Sequence, residues 1–388
     1  MSKGKDHKLG SSASATSGRN SDCAPRACRS AAVIQWAVAS AVVLYVVYRI
    51  LALDIQADEW GNLVSIYRKR VADLITFKYV DAGSHFLQGL LSTLSIRLLP
   101  GIYEVAMRLP SLAGLLAYLY AAFRITSLIK VRFLSVLGFV AFCSNAFLLD
   151  YFGLARGYGL ALGFQLLSLW HVVNVFLLPP TRGCGKHFHL ALWFGCLAVL
   201  CNLAWLVFYG SVCMMLLWRT FQSETDGKLM NRLMRALTDG QSVLYNALLV
   251  SVFYLPRVIL LTDQGGLHFG GVEGFVEDTV KSLVKGVLYF KYYDEKPYFI
   301  YLAYGITVLL LTAMFVSLAR VWRKNTVASD PLIKATGAIS AMLLLSVAIT
   351  EILHFLFNVK FVIERAATGF LVLGVCQLVL FTATVKRI

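Results

Sequence analysis

The chain has 388 residues, of which 58% are apolar and only 15% charged, and its net charge is +15. Soluble domains carry roughly a quarter charged residues, so this composition excludes an ordinary soluble globular protein. Apolar stretches of about 20 residues, the length that crosses a membrane as a helix, recur along the chain. We therefore expect an all-α fold, a polytopic transmembrane helical bundle.

The N-terminal residues 1–30 are polar, basic and rich in Ser, Ala and Gly, which predicts a disordered cytoplasmic tail. No signal cleavage site stands out, so the first apolar stretch is interpreted as an uncleaved anchor. Residues 31–388 are predicted to form one transmembrane domain of about ten spans. The expected spans are 33–53, 106–127, 133–149, 158–178, 188–201, 204–218, 241–262, 297–319, 333–350 and 367–384.

Three further stretches are predicted to be helical without crossing the membrane. Residues 83–99 form a re-entrant or juxtamembrane helix, because a full span there would put the basic cluster 124–132 on the same side as Asp58. The stretches 60–77 and 272–288 carry apolar residues at helical spacing, which indicates two interfacial helices. These helices either rim the bundle or gate the lateral entry of a lipid.

The charges divide unequally between the two faces of this topology. The whole net charge of +15 falls on the side of the N-terminal tail, and most acids collect on the other side. The positive-inside rule makes the tail side cytoplasmic. A basic face on a membrane protein favours anionic membrane lipids and not nucleic acid. We expect a multi-pass protein of the bacterial inner membrane or the ER membrane, with its active site on the non-cytoplasmic face.

The stretch "ADEW" after the first span places Asp58 and Glu59 where water and lipid headgroups both reach. A carboxylate in this position can act as a general base on a hydroxyl. The alternative is a pair of acids at headgroup level that merely end a helix. Two adjacent acids can also bind a divalent metal ion, so the cofactor expectation is either none or one such ion.

Two motifs of the next loop and span carry further candidates. In "DAGSHFL", His85 can bind a phosphate or satisfy a backbone carbonyl. In "MRLPSLAG", Arg108 opens a span, where an arginine either clamps a phosphate or extends to the interface.

Two later motifs lie on the same predicted face. "LLDYFGLARGYGLALGF" contains Asp150, Arg156 and Tyr158, and its acid could converge with Asp58 on one reaction centre or form one salt bridge in a hairpin connector. "IERAATGF" contains Arg365, which either forms a structural pair with Glu364 or binds a lipid phosphate.

Taken in order, these motifs resemble the GT-C glycosyltransferases, and the similarity covers about residues 33–384. That superfamily includes protein O-mannosyltransferases and bacterial enzymes that move sugars from polyprenyl phosphates onto lipid A. The resemblance implies the catalytic acids Asp58, Glu59 and Asp150 and the phosphate- or substrate-binding residues His85, Arg108, Arg156, Tyr158 and Arg365. The chain departs from relatives that carry "HPPL" near "DAGSHFLQGL", and from relatives that continue into further spans or an outer domain.

The function implied is transfer of a sugar from a dolichyl or undecaprenyl phosphate donor to an acceptor hydroxyl, with inversion, on the periplasmic or luminal face. The expected partners are the polyprenyl-phosphate sugar, a glycan, lipid or protein acceptor, and membrane lipids. Two alternatives stay open from the sequence. One is a non-enzymatic transporter or lipid flippase, and the other is an inactive scaffold subunit with a GT-C-like fold.

Overall fold

The computed structural model describes residues 23–64, 85–178, 184–222, 229–263, 270–288, 297–322 and 330–385. Within these ranges the secondary structure is helical, apart from one isolated β-bridge between Gly271 and Phe361. The all-α, polytopic fold class expected from the sequence is confirmed. Residues 1–22 of the predicted tail lie outside the described residues, and the first helix begins at Cys23.

The described residues contain fourteen α-helices. They are α1 (Cys23–Ala52), α2 (Ala57–Asn62), α3 (Phe86–Leu98), α4 (Tyr103–Thr126), α5 (Arg132–Cys143), α6 (Ala146–Phe152), α7 (Tyr158–Leu177), α8 (Cys184–Cys201), α9 (Leu206–Gln222), α10 (Leu229–Asp263), α11 (Lys281–Val287), α12 (Pro297–Trp322), α13 (Pro331–Phe357) and α14 (Thr368–Val385). Two 3-10 turns, Leu203–Trp205 and Glu364–Ala367, and a π-helix, Phe275–Val280, complete the list.

Eight described segments are long and apolar enough to cross a membrane, and they match eight of the ten predicted spans. These segments are Ser30–Ala52, Tyr103–Thr126, Tyr158–Leu177, Leu203–Phe221, Gly240–Leu260, Tyr304–Trp322, Pro331–Phe357 and Glu364–Thr384. The other two predicted spans differ. The stretch 133–149 is divided between α5 and α6, which bend by 59°, and the stretch 188–201 lies in the shorter apolar helix α8.

Asparagines account for both interruptions. The side chain of Asn145 accepts a hydrogen bond from Leu148 N and begins α6, and Asn202 caps the turn after α8 by accepting from Ala204 N. Short polar side chains that bond to nearby backbone favour such caps over helix interiors. Both breaks therefore follow from local hydrogen bonding.

The expected non-spanning helices are found in part. Helix α3 has 13 residues, so it is about 20 Å long and shorter than the hydrocarbon core. The predicted interfacial helix 272–288 is a π-helix followed by α11. The other predicted interfacial helix, 60–77, lies outside the described residues from residue 65 onward.

Glycines bring α4 and α7 into backbone contact at the centre of the bundle. A Cβ placed on Gly114 of α4 would lie 2.7 Å from Gly159 O, and one on Gly163 would collide with Gly114 O. Gly159 and Gly163 are four residues apart, the small-residue spacing that lets membrane helices pack closely. This contact fixes the start of α7, and therefore Arg156 and Tyr158, against α4.

The loop before α7 is held by buried polar contacts. Ser111 Oγ donates to Leu154 O at 2.7 Å, and Ala155 N donates to Glu59 Oε1 at 2.7 Å. Gly157 follows with a φ of +47°, and a Cβ there would lie 2.7 Å from the His85 side chain. A glycine is needed at this position for both its dihedral and its space.

Candidate active site

Asp58 forms ion pairs with two arginines that are distant in the sequence. Its Oδ2 lies 3.0 Å from Arg156 Nη2 and 3.4 Å from Arg365 Nη1. Asp58 belongs to α2, Arg156 to the loop before α7, and Arg365 to the 3-10 turn before α14. The Asp58 side chain is 54% exposed, so its carboxylate is accessible from outside the bundle. Both arginines bind Oδ2, which leaves Oδ1 outside these two ion pairs.

Aromatic side chains surround this Asp58 cluster, which we define as Asp58, Arg156 and Arg365. The His85 ring packs edge-on against the Tyr158 ring with 5.3 Å between centroids, and Tyr151 packs against Tyr158 at 5.2 Å. Tyr158 lies within electrostatic range of all three members of the cluster. The structure therefore brings His85 against Tyr158, and Tyr158 lies next to Asp58, Arg156 and Arg365.

Asn202 is a member of this neighbourhood that the sequence analysis did not select as a site residue. It is 5% exposed and lies beside Tyr158. Its side chain is a hydrogen-bonding neighbour of the Tyr158 hydroxyl, and the Nε of Arg156 is a buried donor with no hydrogen-bond partner among the described residues. A buried N–H group without an acceptor suits a ligand rich in acceptor oxygens, such as a phosphate. The sequence feature that could have identified Asn202 is its position between the apolar stretches 188–201 and 204–218.

A narrow apolar cleft with a cavity volume of about 20 Å³, room for roughly one water-sized group, adjoins the Asp58 cluster. Its wall includes Ala204 and Trp205, which follow Asn202, and Ala366, which follows Arg365. Trp205 also lies 6.2 Å from Tyr158 between ring centroids. The charged groups of the Asp58 cluster thus lie beside a small apolar surface depression.

Glu59 and Arg108 are placed differently from the sequence-based expectation. Both side chains are 0% exposed and pair with each other, with 2.7 Å between Arg108 Nη2 and Glu59 Oε2. Arg108 donates its remaining N–H groups to Glu59 Oε1 and to the carbonyls of Ile50, Leu53 and Asp54. All five N–H groups are therefore used, so none is left for a lipid phosphate.

Both carboxylate oxygens of Glu59 also have hydrogen-bond partners within the protein. Its carboxylate accepts from Arg108 and from the backbone N–H groups of Gln56 and Ala155. A fully buried carboxylate with these partners holds α2 and the Arg156 loop in place and does not reach a substrate. The two adjacent acids contact adjacent residues of the same loop. Asp58 forms an ion pair with Arg156, and Glu59 accepts a hydrogen bond from Ala155 N.

Asp150 also differs from expectation, because it does not take part in the ion pairs of Asp58. Its Oδ1 pairs with Arg49 Nη2 at 3.0 Å, at the end of α1. The neighbouring Tyr151, in contrast, packs against Tyr158. Helical geometry explains this result, because consecutive residues of α6 point in different directions. The predicted convergence of Asp58 and Asp150 is therefore not seen.

The part of the chain that the structure describes contains no group of three or more His, Cys, Asp or Glu side chains suited to a metal ion. The two guanidinium groups on Asp58 occupy the position that a cation would need. The expectation of either no cofactor or one divalent ion stays a prediction.

The fold and this cluster define a multi-pass helical membrane protein with an acid–arginine site at one end of its bundle. No family model matches the chain, and no significantly similar curated sequence was found. Among solved structures, the chain is similar to the crystal structure of ArnT from Cupriavidus metallidurans in the apo state. The identity is 15%, the TM-score is 0.44, and the match covers 92% of this chain and 78% of that chain.

Proposed function

We propose that this protein is a GT-C-type glycosyltransferase that moves a sugar from a polyprenyl phosphate to an acceptor hydroxyl. The observation that carries the proposal is the accessible carboxylate of Asp58, flanked by two arginines. An activated sugar on a lipid phosphate presents the matching parts: an anionic head, a reactive anomeric carbon and an apolar tail. The order of the sequence motifs, from "ADEW" to "IERAATGF", supports the same class.

The residues take distinct roles in this reaction. The lipid phosphate binds Arg156 and Arg365, with Asn202 turning its Nδ2 from the Tyr158 hydroxyl to one of the phosphate oxygens, and the apolar tail runs past the cleft beside Trp205. Asp58 Oδ1 takes the proton of the acceptor hydroxyl as its oxygen attacks the anomeric carbon. The bond between that carbon and the phosphate oxygen breaks, and the phosphate leaves as an anion stabilised by the arginines.

The stereochemistry and the face follow from this scheme. A single displacement inverts the configuration at the anomeric carbon. The charge distribution of the sequence puts the Asp58 end of the bundle on the non-cytoplasmic face. A donor that is already in the membrane makes a nucleotide-binding domain unnecessary, and the sequence contains no phosphate-binding glycine motif.

The test is an assay of purified protein in nanodiscs with radiolabelled polyprenyl-phosphate sugars and a panel of glycan, lipid and peptide acceptors. We expect sugar transfer by the wild type and a loss of roughly 10²–10⁴-fold in Asp58→Asn, the range for removing a general base. The melting temperature of Asp58→Asn should stay near that of the wild type because the carboxylate is 54% exposed. Wild-type turnover by Asp58→Asn would remove the base assignment. Movement of labelled lipid across the bilayer without sugar transfer would instead indicate a flippase.

A further inference from the structure

The turn that carries Arg365 is held in an unusual backbone conformation. Its first residue, Glu364, has a φ of +47°, in the left-handed region that side chains other than glycine rarely adopt. Such a conformation persists only where the surrounding structure holds it. The next residue is Arg365, whose Nη1 lies 3.4 Å from Asp58 Oδ2. The placement of this arginine therefore depends on what stabilises Glu364.

The contacts that hold this turn come from the segment 270–287, which is more than seventy residues earlier in the chain. Ser282 Oγ accepts a hydrogen bond from Glu364 N at 2.8 Å, and Thr279 Oγ1 donates to Val362 O at 2.7 Å. Gly271 and Phe361 exchange two backbone hydrogen bonds of 3.0 Å. These contacts bind the segment 270–287 to the strand-like residues that lead into the Arg365 turn.

The same segment reaches the wall of the apolar cleft. Phe275, the first residue of the π-helix, packs edge-on against Phe370 with 5.0 Å between ring centroids, and Phe370 lines the cleft. Thr279 is fully buried, although it lies in an amphipathic segment predicted at the membrane interface. The segment 270–287 thus contacts both the Arg365 turn and the wall of the apolar cleft.

We propose that the segment 270–287 is a clamp that positions Arg365, with Ser282 as its main positioning residue and Thr279 as its support. The Ser282 hydroxyl fixes the amide of Glu364, keeps this residue in the left-handed conformation and so directs Arg365 toward Asp58. Ser282 acts through Arg365 and touches no substrate. This inference rests on the proposed function, because it assigns Arg365 to the anionic head of the lipid.

The first measurement is hydrogen–deuterium exchange of residues 361–367, which needs no ligand. In Ser282→Ala we expect the amide of Glu364 to exchange about tenfold faster, because it has lost its acceptor. Ser282→Thr keeps a hydroxyl and should retain the protection. Ser251→Ala is the matched control, because the Ser251 hydroxyl donates to Ala247 O within its own helix. Unchanged exchange at Glu364 in Ser282→Ala would overturn the clamp.

The second measurement is the affinity for undecaprenyl phosphate and for inorganic phosphate, determined by native mass spectrometry in nanodiscs. We expect Ser282→Ala to weaken binding of the lipid phosphate roughly fivefold, the effect of one hydrogen bond. The loss should be absent when Ser282→Ala is made in an Arg365→Ala background, because the clamp acts through that arginine. Equal losses in both backgrounds would show that Ser282 supports the fold in general and would overturn the proposal.

A rescue variant distinguishes a lost position of Arg365 from a general loss of protein stability. Glu364→Gly adopts a positive φ without cost, so Ser282→Ala combined with Glu364→Gly should recover most of the lost affinity. If Ser282→Ala fails to insert, Thr279→Val, with Thr279→Ser as its conservative partner, carries the same test on the Val362 contact. If the wild type binds neither undecaprenyl phosphate nor inorganic phosphate, but exchange at Glu364 changes as expected in Ser282→Ala, the proposed function is wrong and the clamp stands. Normal phosphate binding by the wild type, with unchanged exchange at Glu364 in Ser282→Ala, would overturn the clamp and leave the proposed function in place.

Discussion

Asp58 and Glu59 are neighbours in the chain and each pairs with arginine, but their surroundings are opposite. Glu59 and Arg108 are both 0% exposed, and every N–H of the arginine is bonded within the protein. Asp58 is 54% exposed and contacts two arginines that are 18% and 40% exposed. A buried ion pair whose hydrogen-bonding groups are all used can only stabilise the fold. A partly exposed ion-pair cluster can exchange one of its partners for a ligand. Charge and position in the sequence alone do not distinguish the two.

Neutralising the buried acid Glu59 should produce the largest effect. Glu59→Gln keeps the size of the side chain but leaves the Arg108 guanidinium without its counter-charge. Removing one partner of a buried ion pair costs about 3–5 kcal/mol. We expect a large fall in melting temperature and in the yield of inserted protein, measured by size-exclusion and thermal unfolding in detergent. Asp58→Asn is the matched control, and equal stability of the two variants would contradict the division of roles.

The next effect concerns the two arginines of the Asp58 cluster. Arg156→Lys should weaken lipid phosphate binding about tenfold, because lysine is a point charge that cannot reproduce the guanidinium geometry. Arg365→Lys should weaken it less, since Arg365 is 40% exposed and Arg156 only 18%. Titration with undecaprenyl phosphate measures both. The opposite order would mean that Arg365 is the main phosphate ligand.

A subtler variant tests the amide of Asn202 beside Tyr158. Asn202→Asp keeps the oxygen that caps Ala204 N but replaces the Nδ2 donor with an acceptor. We expect a several-fold loss of phosphate binding, consistent with one hydrogen bond to a charged group, and a lower melting temperature, because a carboxylate at a position that is 5% exposed is poorly solvated. Asn145→Asp is the control, because Asn145 is also a helix cap and the charge change is the same. Equal effects of the two would point to net charge and not to a contact.

The smallest expected effect is at Asp150, which the sequence suggested as a second catalytic acid. Its partner is Arg49, and both side chains are partly exposed. Asp150→Asn should cost at most about 1 kcal/mol of stability, as is usual for partly exposed ion pairs, and should change turnover little. A hundredfold loss of transfer with normal folding would restore Asp150 to the reaction.

Much of the fold could be predicted from the sequence because the membrane imposes strict limits on helix length and polarity. The eight clear spans followed from apolar length, and the interpretation of 83–99 as a helix that does not cross the membrane followed from the alternation of charge between the two faces. The bend between α5 and α6 was harder to foresee, because a single asparagine capping contact decides it. Such contacts depend on local geometry that hydropathy does not encode.

The candidate site was predictable only in part. Asp58, Arg156, Arg365, His85 and Tyr158 belong to recognisable motifs, and the structure places them together. The roles of Glu59 and Arg108 could not be separated from those of Asp58 and Arg156, because exposure and hydrogen-bond saturation are properties of the packed chain.

The amino-acid sequence alone establishes a multi-pass helical membrane protein, since apolar length needs no knowledge of contacts, and it predicts that most acids lie on the face opposite the net positive charge. Only the tertiary structure decided which acid is open and which is buried, and that the Arg365 turn rests on Ser282 and Thr279. These features arise between segments up to hundreds of residues apart, whose pairing is set by helix packing and not by local pattern.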